Sequence, residues 1–291
     1  MSPEIADIAA VRRAYADHLA VSAALTTPGL REALAVVPRE RFLRPAPWLV
    51  IGEGDGRTPP LPTSTDDPRQ LYANVSVAID PARQLFNGSP GHVIRLIDAL
   101  TLRPGARVLH VGAGLGYYTA LMAHVVGAGG AVVALEVDEA LLGDARDNVA
   151  SLPWIDMRRD AERLDGATFD GILVNAGVTH PDAAWLDSLA VGGRLIVPLT
   201  VSISGMGPSL GKGIVVAIER TAAGRFSAEM LSFIAIYSAI GLRDAAMEGK
   251  LGQALRRTSF PNLTRLRREP HEAGDACWLH GEQCCLSMEP V

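Results

Sequence analysis

The sequence predicts an α/β protein with a doubly wound, largely parallel sheet, preceded by N-terminal helices and followed by a β-rich C-terminal extension. Two observations predict this class. Apolar strands alternate with helical segments from about residue 91 to residue 200, which is typical of a parallel sheet buried on both faces. A glycine-rich turn follows the first of these strands, where open α/β sheets bind their ligands.

Composition and charge argue against several classes of protein. The chain has 291 residues, of which 48% are hydrophobic, so it can bury a sizeable core. A formal net charge of −5 gives no support to nucleic-acid binding. No apolar run approaches the roughly 20 residues of a membrane span, and the first residues lack the layout of a signal peptide. With only three cysteines, the sequence predicts a cytoplasmic protein.

The first 80 residues are predicted to form helices and a loop that cap a substrate region. A helical period over about 40 residues breaks at residues 26–29 and resumes over 30–37. Residues 44–69 are rich in proline and threonine and predict a long loop, in which Trp48 either covers the site or anchors the loop. A further helix over 91–100 is predicted to begin at Ser89 and Pro90.

Residues 81–200 are predicted to be the cofactor-binding core, and residues 201–291 its completing strands and an extension. Helices are predicted over 118–126, 139–149 and 183–189. Strands are predicted over 107–111, 131–136, 155–159, 169–174 and 193–198. The tail is predicted to be β-rich over 213–219, 226–238 and 278–286, with a helix near 244–256.

The turn after the first core strand has the pattern Gly-x-Gly-x-Gly, with Gly112, Gly114 and Gly116. Glycines let the backbone approach a ligand closely. The dinucleotide fingerprint places its third glycine one residue later. The variant seen here resembles the first motif of class I S-adenosylmethionine-dependent methyltransferases, in which an acid such as Glu136 accepts hydrogen bonds from the ribose. Two alternatives to this interpretation of the turn remain. The protein is a nicotinamide or flavin enzyme, or the turn merely packs a helix on a strand.

Further segments resemble the protein-L-isoaspartate O-methyltransferase family. They are residues 35–42, 108–119 with Glu136, 169–172 and 190–198, and the resemblance extends from about residue 30 to residue 199. It implies an enzyme that uses S-adenosyl-L-methionine, releases S-adenosyl-L-homocysteine and methylates a carboxylate of a peptide or protein. The last 90 or so residues exceed a minimal repair enzyme and are interpreted as an acceptor-recognition part.

Four more residues are predicted to contact the cofactor, the first two from the resemblance and the others from their positions beside the glycine turn. Asp160 follows the third strand and is a candidate for the adenine amino group, with a solvated loop aspartate as the alternative. Asn175 follows the fourth strand and is expected to line the site rather than cap a turn. One of Tyr117 and Tyr118 is expected to face the cofactor, and we assign Tyr117. His110 lies next to the turn and is also predicted to contact the cofactor. The alternative for this residue is a hydrogen-bonded histidine of the core.

One element departs from the family pattern, which places Gln-Thr-Ile-Ser-Gln-Pro before the helix that precedes the first strand. Aligned on Pro90, Phe86 takes the place of the threonine and Gly88 that of the serine. Asn87 and Ser89 are therefore predicted to orient the acceptor or contact the cofactor, with helix capping as the alternative. This departure puts isoaspartate repair itself in question.

The acceptor class stays open at this point. A carboxylate acceptor needs no base, whereas a small-molecule hydroxyl does, and His180 is then the predicted general base, with an ordinary loop histidine as the alternative. A third possibility is a non-catalytic module that binds the cofactor and lost its chemistry with the two hydroxyls. The oligomeric state cannot be deduced from the sequence.

Cys277, Cys284 and Cys285 lie near His271 and His280. Their spacing matches no familiar zinc motif, and the same residues are compatible with ordinary strands. The sequence therefore predicts no metal site.

Overall fold

The computed structural model describes residues 3–52, 59–160, 166–203 and 210–289. The chain divides into two compact units. The first comprises Met1–Ala106 and Ala113–Asp160, and the second comprises Arg107–Gly112 and Ala161–Val291. The predicted roles of the segments 1–80, 81–200 and 201–291 remain predictions.

The N-terminal helices of the first unit confirm the predicted helical start. Helix α1 spans Pro3–Ser22 and helix α2 spans Leu30–Val36. Their apolar side chains form a buried stripe that includes Tyr15, Leu19 and Leu34. The break between the helices is held by the carboxylate of Asp98, which accepts hydrogen bonds from the backbone N–H groups of residues 26 and 27.

The prediction of a long loop over residues 44–69 is wrong in part. The region contains two short strands and the start of a 3-10 helix (Pro68–Leu71). A small antiparallel sheet in the order β2-β1-β3-β4 is built from Leu49–Ile51 (β1), Leu61–Pro62 (β2), Ser76–Asp80 (β3) and Leu85–Phe86 (β4). Proline is tolerated in β2 because that strand lies at the sheet edge. Residues 53–58 of the predicted loop lie outside the described residues.

The remaining elements of the first unit lie within one or two residues of their predicted bounds. Three helices and two parallel strands follow: Pro90–Asp98 (α3), Tyr117–Val126 (α4), Ala131–Leu135 (β6), Glu139–Val149 (α5) and Ile155–Arg158 (β7). The side chain of Asp138 caps α5 by accepting the N–H groups of Ala140 and Leu141. Among the described residues, no helix has both the length and the apolar character to cross a bilayer.

The second unit contains a mixed sheet with a parallel part and an antiparallel part. The parallel part consists of Arg107–Val111 (β5), Phe169–Val174 (β8) and Leu189–Ser202 (β9), with the helix Ala183–Ser188 (α6) before β9. Strand β9 extends beyond its predicted bounds because its far end pairs with the next strand of an antiparallel ladder.

The β-rich tail is confirmed. After β9 the sheet continues in the order β10-β11-β12-β14-β13, with Leu210–Ala222 (β10), Arg225–Tyr237 (β11), Arg265–Arg267 (β12), Cys277–His280 (β13) and Cys285–Ser287 (β14). The helix Ala245–Arg257 (α7) precedes β12. The predicted α/β class is therefore correct.

Arg39 organises the segment before β3. Its side chain is fully buried. The guanidinium donates hydrogen bonds to the main-chain carbonyl oxygens of Leu71 at 2.6 Å, Ala73 at 3.3 Å and Val75 at 2.5 Å. A single side chain therefore supplies the donors for three carbonyls between the end of the 3-10 helix Pro68–Leu71 and the start of β3.

We expect Arg39→Met to lower the free energy of unfolding by about 3 kcal/mol, because carbonyl groups in the interior lose a charged donor. Urea denaturation followed by circular dichroism measures this. Arg41→Met is the matched control, since Arg39 and Arg41 both lie in the 3-10 helix Arg39–Phe42 and Arg41 is exposed. It should change stability by no more than about 0.5 kcal/mol. Equal losses in both variants would contradict the role assigned to Arg39.

Candidate functional site

The glycine-rich turn between β5 and α4 has a left-handed backbone. Gly112, Gly114 and Gly116 have φ values of +82°, +56° and +92°. Residues with a Cβ rarely adopt these angles without strain, which explains three glycines at alternate positions. Gly116 also serves as the N-cap of α4.

Space around the turn is restricted as well. A Cβ added to Gly112 would lie 3.2 Å from the carbonyl oxygen of Asn175, and one added to Gly116 would lie 3.2 Å from Cγ1 of Val149. These two glycines therefore allow close packing against other parts of their own units, as the packing alternative predicts. Their predicted contact with a cofactor stays a prediction.

Glu136, directly after β6, is joined to the turn by hydrogen bonds. Its Oε2 accepts the backbone N–H of Gly114 at 2.8 Å, and its Oε1 accepts that of Asp138 at 3.0 Å. The residue is 8% exposed. Burial raises the pKa of its carboxyl group, while the two N–H bonds act in the opposite direction. The carboxylate is thus held in one orientation beside the glycine turn.

This arrangement fits the sugar of a nucleoside. Each carboxylate oxygen can accept more than the one N–H bond described here, so the pair can also accept two neighbouring hydroxyl groups. An apolar cluster of Ile79, Leu115 and Leu141 lies in the same unit, and a Cβ added to Gly114 would lie 3.3 Å from Cδ1 of Ile79. The residues present are therefore compatible with the predicted ribose of S-adenosylmethionine.

The two tyrosines that open α4, Tyr117 and Tyr118, are both buried, and the predicted contact of Tyr117 with the cofactor stays a prediction. The ring of Tyr117 packs against Phe42, with centroids 5.7 Å apart, and against Tyr118 at 5.2 Å. The hydroxyl of Tyr118 donates to the carbonyl of Gly88 at 3.2 Å. Burial raises the pKa of both phenols. Aromatic packing within the unit therefore takes up the surface expected to contact a ligand.

His110 is fully buried in β5, and burial lowers its pKa to about 3. It is therefore neutral at physiological pH and has no surface left for a ligand. The structure supports the alternative stated for this residue, a histidine of the core, and the cofactor assignment of His110 is corrected accordingly.

Asn175 lies where the parallel strands end. Its backbone N–H donates to the carbonyl of Val111 at 2.8 Å, and its own carbonyl approaches Gly112. The half-buried side chain of Asn175 therefore starts from a backbone in contact with the glycine turn. Asp160 is exposed after β7, and residues 161–165 lie outside the described part of the chain. The cofactor roles of Asn175 and Asp160 stay predictions.

The segment that departs from the family pattern is held by side chains. Asn87 and Val77 form two hydrogen bonds. The N–H of Asn87 donates to the carbonyl of Val77 at 3.0 Å, and the N–H of Val77 donates to Oδ1 of Asn87 at 2.9 Å. Ser89 occupies the N-cap position of α3, but its hydroxyl donates to Oδ1 of Asn74 at 2.8 Å, and that oxygen also accepts the N–H of Gly91 at 2.7 Å. The side-chain hydrogen bond that caps the start of α3 is therefore made by Asn74 and not by Ser89.

The local backbone explains the departure. Gly88 has a φ of +80°, and a Cβ at this position would lie 3.1 Å from Cγ2 of Val93. A serine here would be strained as well as crowded. Phe86 is buried in β4, where a threonine would lose apolar area. Asn74, which sequence reasoning missed, is 17 residues from Gly91, and no local pattern identifies so distant a cap.

His180 lies in the second unit beside a cavity of 220 Å³, which it lines with residues of α7 and of the β13–β14 hairpin. Its Nδ1 is 2.9 Å from the hydroxyl of Thr179, whose oxygen accepts the N–H of Asp244 at 3.1 Å. No predicted cofactor residue lines this cavity among the described residues. The predicted role of His180 as a general base is not supported by these contacts and stays a prediction.

Trp48 anchors its segment. It is buried with Leu71 and Val77, and its indole N–H donates to the carbonyl of Arg44 at 2.9 Å. Of the two roles considered for this residue, the structure favours the anchor.

Comparison with known proteins agrees with the resemblance predicted from the sequence. The pattern of the family described as Protein-L-isoaspartate(D-aspartate) O-methyltransferase (PCMT) matches residues 68–206. A protein-L-isoaspartate O-methyltransferase of Methylorubrum extorquens (strain PA1) is 32% identical over 251 residues, covering 84% of this chain and 95% of the relative. One of Methylorubrum populi is 34% identical over 174 residues, covering 58% of this chain and 70% of that relative.

Solved structures show the same fold. A protein-L-isoaspartate O-methyltransferase aligns with a TM-score of 0.59 at 21% identity, over 88% of this chain and 73% of that one. A structure from Plasmodium falciparum, described as a β-aspartate methyltransferase in complex with S-adenosyl-L-homocysteine, aligns with a TM-score of 0.56 at 18% identity, over 78% and 97% of the two chains. With the glycine turn, Glu136 and a relative matched over nearly its whole length, the chain belongs to the protein-L-isoaspartate O-methyltransferase family.

Proposed function

We propose that this protein is an S-adenosylmethionine-dependent O-methyltransferase that methylates a carboxylate of a peptide or protein, of the isoaspartyl kind named for its relatives. The observation that carries the proposal is the carboxylate of Glu136, held by the N–H groups of Gly114 and Asp138 beside a left-handed glycine turn. Membership of the family supplies the reaction class.

The chain's own residues have a limited task in this reaction. When bound, the cofactor supplies an electrophilic methyl group on a sulfonium, and a carboxylate acceptor takes it without losing a proton. Glu136 would accept hydrogen bonds from the ribose hydroxyl groups, and the glycines would let the backbone approach the ligand closely. Rate enhancement then comes from alignment and from the exclusion of water rather than from acid–base chemistry.

The alternative acceptor is a small-molecule hydroxyl. It requires a general base, and His180 is the residue predicted for that role. The contacts of His180 with Thr179 and with a cavity lined by α7 give no support to it. We therefore favour the carboxylate acceptor.

Glu136→Gln should weaken the binding of S-adenosyl-L-homocysteine by about 1–3 kcal/mol, which is roughly 5- to 150-fold in Kd, because a charged acceptor becomes neutral. Isothermal titration calorimetry measures the change, and circular dichroism checks the fold. Glu139→Gln removes the same charge from an exposed position three residues away and should leave the Kd unaltered. If the two variants bind equally well, Glu136 does not hold the ribose.

Incubation with methyl-labelled S-adenosylmethionine should label an isoaspartyl peptide and leave the aspartyl peptide of identical sequence unlabelled. Mild base should release the label as methanol, because esters hydrolyse under conditions that spare ethers. A base-stable product would contradict a carboxylate acceptor. Binding of the cofactor product without any labelling would instead support the non-catalytic module.

His180→Ala should leave methyl transfer to the isoaspartyl peptide within about twofold of the unmodified protein, because a carboxylate acceptor requires no proton removal. Loss of a general base would instead lower kcat by roughly 10²- to 10⁴-fold. Such a fall, with the Kd for S-adenosyl-L-homocysteine unchanged, would favour the hydroxyl acceptor over the carboxylate.

A further inference from the structure

The C-terminal part of the second unit brings together two thiols and two imidazoles. One donor atom each from His271, Cys277, His280 and Cys285 lies within 4.8 Å of all the others. Sγ of Cys277 is 3.6 Å from Nε2 of His271. In a tetrahedral zinc site with bonds of 2.0–2.3 Å, the donor atoms lie roughly 3.3–3.8 Å apart. The spacing in this cluster therefore requires little contraction to hold an ion.

The strand geometry explains how these residues meet. In a regular strand, residues three apart point to opposite faces of the sheet. The pairing of β13 with β14 shifts register between Cys277 and Leu279, and such an irregularity re-aims side chains. His280 and Cys285 are direct cross-strand partners in the same hairpin. His271 comes from the segment between β12 and β13 and completes the set.

Groups around the cluster orient its ligands. Nδ1 of His271 lies 2.8 Å from the carbonyl of Glu269, to which it can donate a proton, and this bond leaves Nε2 as the lone-pair nitrogen towards Cys277. The N–H of Gly274 donates to Sγ of Cys277 at 3.5 Å. The backbone N–H of Gly274 and the ring of His271 therefore converge on the sulfur of Cys277.

An ordinary core does not account for these groups. Cys277 and Cys285 are buried, whereas both histidines are half-buried, with ring centroids 4.8 Å apart. Nδ1 of His280 is shielded from water and has no hydrogen-bond partner among the described residues. An imidazole nitrogen that is buried without a hydrogen-bond partner is suited to ligating a metal.

We propose that these four side chains bind a Zn²⁺ ion in a structural site. Two thiolates and two neutral imidazoles form one of the standard ligand sets for zinc, and four protein ligands fill its tetrahedral shell, which leaves no position for a substrate. Binding releases the protons of the two thiols to solvent and involves no redox step. The ion ties residue 271 to the β13–β14 hairpin and so fixes the C-terminal extension, a role beyond methyl transfer and contrary to the sequence-based expectation of no metal.

Elemental analysis of the full chain tests the proposal. The protein is purified without a metal-affinity tag, kept reduced, and analysed by inductively coupled plasma mass spectrometry. We expect one equivalent of zinc per chain, and a loss of most of it in Cys285→Ser. Cys284→Ser is the matched control, because Cys284 is adjacent and buried but outside the cluster. It should keep its zinc.

Cobalt substitution keeps the test independent of how well a variant folds. The unmodified chain with Co²⁺ should show tetrahedral ligand-field bands and a thiolate charge-transfer band, and His271→Asn should weaken them. Three results would overturn the proposal. The unmodified chain could hold no zinc after refolding with Zn²⁺, or Cys284→Ser could lose as much zinc as Cys285→Ser. A disulfide between Cys277 and Cys285 in place of the metal is the third. Zinc content is measured without any assay of methyl transfer. A failure of the zinc proposal can therefore be distinguished from a failure of the proposed enzyme activity.

Discussion

The conformation of the turn between β5 and α4 is the constraint on which the candidate site depends. Three glycines with positive φ reverse the chain there, and a side chain at Gly112 or Gly116 would meet Asn175 or Val149. The turn presents the N–H of Gly114 to Glu136, which aligns the carboxylate by a main-chain hydrogen bond. A buried carboxylate that accepts main-chain N–H groups keeps its orientation and its capacity for further donors.

Polar side chains bonded to main-chain groups shape the rest of the first unit. Arg39 supplies donors to three carbonyls ahead of β3, and Asn74 supplies the cap of α3 together with the partner of Ser89. Both cases follow from the need to satisfy buried backbone groups where no regular ladder does so. The segment before α3 therefore departs from the family pattern while the helix that it introduces is retained.

The second unit combines two kinds of order. Its parallel strands β5, β8 and β9 lie within residues 68–206, which match the family pattern. Strands β10 to β14 form an antiparallel continuation with short strands at its end. Short edge strands bury little apolar area and benefit from a crosslink. A metal held by the final hairpin offers such a crosslink, and it assigns the C-terminal extension a task in stability besides the recognition predicted for it.

Local patterns in the sequence determined the helices, the core strands, the glycine turn and Glu136, because these depend on residues that are neighbours along the chain. Tertiary structure alone decided what depends on distant partners. Packing buries Tyr117 and His110, and Asn74 caps a helix at a residue 17 positions away. The predicted loop over 44–69 includes β1, which pairs with β3, and β2, which pairs with β1. The four zinc ligands fit no linear motif, because a register shift in one hairpin decides which side chains share a face.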